Sequence, residues 1–141
     1  MDLSELYHEI IVDHHKSPRR RKAVPECTCS ELVFNPLCGD KVAIAVRIEG
    51  GVVEDIGFDG HGCSISQASA SILCDICSGK PIEEVRSLKN KFDGMIRGEI
   101  PAEECDELVD GQALVGVRRF PARIRCAAIA WEALGQCIEK S

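Results

Sequence analysis

Cys38, Cys63 and Cys126 each sit in a local setting that points to chemistry rather than core filling. The settings are Pro36-Leu37-Cys38-Gly39-Asp40, Gly60-His61-Gly62-Cys63-Ser64-Ile65-Ser66 and Arg123-Ile124-Arg125-Cys126. Each stands where a regular element is expected to begin, and Asp40 adds a carboxylate just after the first thiol. Three thiolates and one carboxylate make a four-ligand set suited to zinc or iron. Gly39 and Gly62 remove side-chain bulk where the backbone must turn tightly around an ion. Cys63 and Cys126 are expected at, or within the first turn of, helices, where free N–H groups and the macrodipole favour a thiolate. Arg123 and Arg125 act on Cys126 in the same sense. The competing reading makes all three thiols small buried apolar residues. It suits one isolated cysteine better than three with glycines and an aspartate beside them.

The other cysteines carry weaker signals. Cys74-Asp75-Ile76-Cys77 is formally a C-x-x-C, but it falls late in an expected helix, away from the N-terminus where such pairs gain reactivity, and reads as core filling. Cys27-Thr28-Cys29 lies in an expected loop as an unremarkable pair, and Cys105 and Cys137 have no informative context. His14 continues an apolar helical stripe and is expected to be a satisfied core or interface residue. His61 lies two residues before Cys63 and is expected beside the site, because a ligand role would crowd a complete set.

The elements that must position these residues follow from periodicity. Leu3, Leu6, Tyr7, Ile10, Ile11 and His14 have helical spacing, ended by Pro18. A short strand is expected near Leu32-Val33-Phe34. Val42, Ile44, Val46 and Ile48 alternate as a half-buried strand, and Gly50-Gly51 turns the chain into a return strand from Val52 to Phe58. Ile65, Ala68, Ser69, Ile72, Leu73 and Ile76 form one helical stripe, ended at Gly79. Pro81 opens the next helix, with Ile82, Val85, Leu88, Phe92 and Met95 inward; a short helical turn is expected over 103–109. A long final helix starts near Pro121 and carries Ile124, Ala127, Trp131, Leu134 and Ile138. This order predicts a single α+β domain over residues 1–141, with a small antiparallel sheet packed against several α-helices.

Composition bounds the rest. The 141 residues suffice for one core and are too few for two ordinary domains. No apolar run reaches the roughly 20 residues of a membrane span. Met1-Asp2-Leu3-Ser4-Glu5 lacks the basic start and apolar stretch of a secretory leader, which predicts a cytoplasmic protein. Disulfides rarely persist there, and nine cysteines cannot all pair within one chain. A net charge of −6 argues against nucleic-acid binding. The basic run from Lys16 to Lys22 is the local exception; it reads first as a solvated loop and second as a docking patch for an acidic partner.

Four stretches together resemble the U-type iron–sulfur scaffold family, which includes IscU, SufU and the N-terminal domain of NifU. They are Leu6 to His14 with the Lys16-Ser17-Pro18 turn, Asn35 to Asp40, Gly60 to Ser71, and Pro121 to Ala127, in the family's order. The IscU type carries a histidine directly before its third cysteine, where this chain has Arg125. The segment between Cys63 and Cys126 is also longer, and both features are similar to the SufU branch. The resemblance implies zinc (Zn2+) held tightly on Cys38, Asp40, Cys63 and Cys126; Arg125 and His61 are expected around that set from their positions beside Cys126 and Cys63. It also implies sulfur acceptance from a pyridoxal-phosphate-dependent, SufS-like cysteine desulfurase.

The expected function is therefore iron–sulfur cluster biogenesis, as a zinc-bound acceptor that takes persulfide sulfur and passes it on to a downstream cluster scaffold or apo-acceptor. The alternative is an IscU-like scaffold that itself assembles and transfers a [2Fe–2S] cluster or handles iron. The sequence leaves open whether the chain is a sulfurtransferase-like enzyme or a non-enzymatic scaffold. A zinc hydrolase or deaminase fits poorly, because no H-x-E with P-C-x-x-C is present. Cys38 is expected to be the sulfur acceptor, because Gly39 gives its loop freedom that helix-borne Cys63 and Cys126 lack. Resemblance to the SufU branch points the same way, whereas the IscU branch favours Cys126.

Overall fold

In a computed structural model describing residues 3–141, the order is α1 (Leu3–Lys16), β1 (Cys29–Asn35), β2 (Asp40–Glu49), β3 (Val52–His61), α2 (Ser64–Cys77), α3 (Ile82–Ile96) and α4 (Pro121–Glu139). Two 3₁₀ stretches, Ala102–Glu104 and Asp106–Arg119, join α3 to α4. The three strands form one antiparallel sheet in the order β1-β2-β3. The expected α+β architecture is what the chain adopts.

Strict alternation governs the sheet. Val42, Ile44 and Val46 are fully buried on one face of β2, and the same face begins with Asp40. On β1 the buried positions are Val33 and Asn35, and the register pairs Asn35 with Asp40. The buried face of the sheet thus ends in two polar residues side by side. Gly50 and Gly51 both have positive φ (59° and 76°), which the tight hairpin between β2 and β3 requires.

Helices cover the buried face, and α2 lies at the centre. Its contacts reach α1, α4 and β3, so Ser66 to Cys74 and Ile76 to Cys77 are buried all round rather than along the one expected stripe. Small Ala and Ser side chains let its neighbours come close. Ser69 Oγ donates to Ala127 O (2.7 Å) and accepts from Trp131 Nε1 (3.2 Å), tying α4 to α2. Trp131 stacks on Phe92 of α3 with ring centroids 4.4 Å apart.

Three sequence expectations meet a different outcome. The stripe of α1 is open at its start, with Leu3 and Leu6 exposed, while Tyr7, Ile10 and Ile11 are half-buried. His14 is buried there as expected, with Nδ1 2.7 Å from Ser71 Oγ and Nε2 2.8 Å from Asp110 Oδ2. The short turn expected over 103–109 extends to Arg119, as two 3₁₀ pieces meeting at Val109 (φ 53°, ψ −117°). The basic run is neither loose nor a free patch. Arg20 and Lys22 pair with Asp55 at 2.6 and 2.7 Å, and Arg19 pairs with Asp13 at 2.5 Å. Its backbone also crosses β3, with Phe58 N–H donating to Arg20 O (3.1 Å).

Candidate metal centre

The loop between β1 and β2 turns on Gly39 (φ 69°), and Cys38 N–H donates to Asn35 O at 3.3 Å. That turn sets Cys38, half-buried, above Asp40. From the helical side come Cys63, the N-cap residue of α2, and Cys126, fully buried in α4. One donor atom each from Cys38, Asp40 and Cys126 lie within 4.8 Å of one another. Cys63 Sγ stands 3.9 Å from Asp40 Oδ2, completing the rim outside that closest trio.

Asp40 is the hub. Its Oδ1 accepts the Cys63 backbone N–H at 2.8 Å, so the carboxylate caps α2 where Cys63 itself makes no side-chain cap. Burial alone would raise this carboxyl. Hydrogen bonds from Cys126, from the Cys63 amide and thiol, and from Ser66 outweigh burial and hold Asp40 below its usual range. Gly62 (φ 144°) leaves room for it, since a Cβ there would collide with Asp40 Oδ1 and crowd its Cα at 2.8 Å.

Burial decides the state of Cys126. It lies in the second turn of α4, past the first-turn amides that the sequence placed around it. Burial first, then hydrogen bonds with Asp40, Cys38 and Cys63, push its thiol well above the ordinary range. Without a cation the thiol stays protonated. Soft sulfur donors and one hard oxygen converging within 4.8 Å fit zinc, whose charge would hold the thiolate form.

Two residues change the surrounding shell. Asn35, buried in the sheet, donates its Nδ2 to Asp40 Oδ2 and to Cys126 Sγ, each at 3.4 Å. Its sequence signal was its place at the head of the Asn35 to Asp40 stretch that carries the family resemblance. Arg123, not Arg125, faces the sulfurs: it lines one groove with Cys63, and the nearby Cys126, then Cys63 and Cys38, raise its pKa. Arg125, expected beside the Cys126 thiol, pairs with Glu132 on the exposed side of α4 instead. The helix turns by about 100° per residue, so positions two apart face different ways. His61, expected beside the site, ends β3 in an exposed position opposite Lys41.

A groove of about 1050 Å³ opens next to Cys63 and Arg123, walled by Tyr7, Ile11, Val117 and Phe120. The C-x-x-C in α2 is core: burial drives Cys77 up to about 12 and also pushes the Cys74 thiol well up. No helix among the described residues is long and apolar enough to cross a membrane.

Residues 6–139 match the family described as the NifU-like N terminal domain. The chain is 40% identical over 139 residues to the zinc-dependent sulfurtransferase SufU of Bacillus subtilis, covering 99% of this chain and 93% of that protein. It is 39% identical over 140 residues to the iron–sulfur cluster assembly scaffold protein IscU of Streptococcus pyogenes, covering 99% and 86%. Among solved structures it resembles a putative SUF-system scaffold from Fervidobacterium islandicum, with a TM-score of 0.86 at 26% identity, over 97% of this chain and 99% of that one.

Proposed function

The chain belongs to the NifU-like N-terminal domain family, and from that premise we propose that it is a zinc-bound sulfur acceptor in iron–sulfur cluster biogenesis. It takes persulfide sulfur from a SufS-like, pyridoxal-phosphate-dependent cysteine desulfurase in the cytoplasm and passes it on for cluster assembly. The observation that carries this reading is the convergence of Cys38, Asp40 and Cys126 donors within 4.8 Å, with Cys63 on the rim. These four residues would hold the ion. Zinc, when bound, keeps thiols deprotonated near neutral pH and protects them from stray oxidation.

Cys38 is the acceptor in this reading. It lies on the Gly39 loop, whereas Cys126 is fixed in α4 by burial and by Asn35, and Cys63 is fixed by the start of α2. The Cys38 thiolate attacks the terminal sulfur of the partner's persulfide. The new S–S bond forms on Cys38, the partner's S–S bond breaks, and its cysteine leaves as a thiolate. Arg123 offsets negative charge among the three sulfurs, and the groove beside it gives the partner an open approach.

Mass spectrometry after a brief desulfurase reaction tests the assignment. A persulfide is expected on Cys38; one on Cys126 that survives Cys38→Ser would overturn it. The scaffold reading draws support from the IscU relative. Colourless protein with about one zinc per chain favours the relay, whereas brown protein with charge-transfer absorption favours the scaffold.

A further inference from the structure

Cys137 carries no signal in the sequence, yet the fold gives it a partner. Cys29 heads β1 and is half-buried; Cys137 is fully buried in the last turn of α4. Lys140 N–H and Ser141 Oγ donate to Cys137 O at 3.3 and 2.9 Å, and both residues line one cavity with Cys29, so the last turn of α4 brings Cys137 to the head of β1. Around them, Lys140 pairs with Glu31, clamping the end of α4 to β1. A cavity of about 420 Å³ opens onto Cys29 between Thr28, Ile48 and Lys140.

The pair lies far from the metal centre. From Cys29 to Asn35 the strand spans about 20 Å, and from Cys126 to Cys137 the helix rises about 16 Å. Because Asn35 touches Cys126, β1 and α4 run antiparallel with matched lengths, one end holding the candidate metal centre and the other this dithiol.

We propose that Cys29 and Cys137 form a redox-active dithiol that a low-molecular-weight disulfide such as oxidised glutathione converts to an intramolecular disulfide. Cys29, reachable from the cavity, attacks one sulfur of the small disulfide, and one small thiolate leaves. Cys137 then attacks the Cys29 sulfur of the mixed disulfide and the second small thiolate leaves. Two protein thiols are oxidised, one disulfide is reduced to two thiols, and the two protons pass to the leaving thiolates. The Lys140 ammonium, paired with Glu31, lines the same cavity as Cys29. Burial and the Cys29 contact keep Cys137 a thiol at rest, so it resolves rather than initiates.

The test treats the protein as purified with excess oxidised glutathione, digests it without reductant, and maps linked peptides by mass spectrometry. A Cys29–Cys137 link is expected, reversed by dithiothreitol and still formed in Cys27→Ser. In Cys29→Ser, Cys137 should stay unmodified because it is buried, so the result does not depend on Cys137→Ser folding. Glutathione retained on Cys29 without a link, or a Cys27–Cys29 link in place of the expected one, would overturn the proposal.

Discussion

Asn35 Nδ2 lies 3.4 Å from Cys126 Sγ, joining a strand end to a helix 91 residues later, and the same nitrogen reaches Asp40 Oδ2 at 3.4 Å. One amide therefore fixes two candidate ligands from different elements. Asn35→Ala removes both hydrogen bonds while leaving all four candidate ligands in place. Zinc affinity, measured by competition with a chromophoric chelator, should fall about 10- to 100-fold, the usual effect of removing a residue that orients a ligand. Unchanged affinity would mean the amide only fills space.

Gly62 and Gly39 separate room at the site from backbone strain. A side chain at Gly62 meets the Asp40 carboxylate, whereas one at Gly39 meets open space at φ 69°. Gly62→Ala should lose bound zinc as isolated, because Asp40 must move. Gly39→Ala should retain zinc and lose about 1–2 kcal/mol of stability in urea titration, from the left-handed backbone alone. Equal metal content in the two variants would contradict the collision with Asp40.

The two arginines before Cys126 should separate in activity. Arg123 lies on the sulfur side, its pKa raised first by Cys126, and Arg125 pairs with Glu132 on the solvent side. Arg123→Ala should slow desulfurase turnover in the presence of this protein about tenfold or more, the scale of losing one charged contact to a reacting group. Arg125→Ala should change it less than twofold, since an exposed pair contributes little. A reversed order would place Arg125 at the sulfurs.

Acid sensitivity should track Asp55. Its hydrogen bond from Lys22 comes first, and with Arg20 and the Ile56 amide it outweighs burial and lowers the carboxyl pKa. A carboxyl lowered by folding adds stability above its unfolded pKa, and that stability is lost as pH falls through the folded value. Asp55→Asn should therefore destabilise the protein by about 1 kcal/mol at neutral pH, allowing for partial solvent screening. The gap from the parent should close in acid. A gap that stays constant from pH 7 to pH 3 would assign the loss to packing of the basic segment.

Local spacing determined much of this protein. Alternation along β2, paired glycines after Glu49, Pro81 before a helix and Cys63 at a helix start are short-range signals, and each element formed where they lie. Cys38, Asp40, Cys63 and Cys126 were legible as a set because each carried its own marker: a glycine, a turn or a helix start. Contacts across the chain were not legible, because periodicity states which way a residue faces and not what it meets. Only packing of α4 antiparallel to β1 brought Asn35 to Cys126 and Cys29 to Cys137. The turn of α4 put Arg123 rather than Arg125 over the thiols. Neighbours on several sides buried α2 all round, where its apolar stripe marked one face. The tertiary fold also took Cys126 out of the first helical turn and buried it, so desolvation rather than the helix dipole sets its thiol.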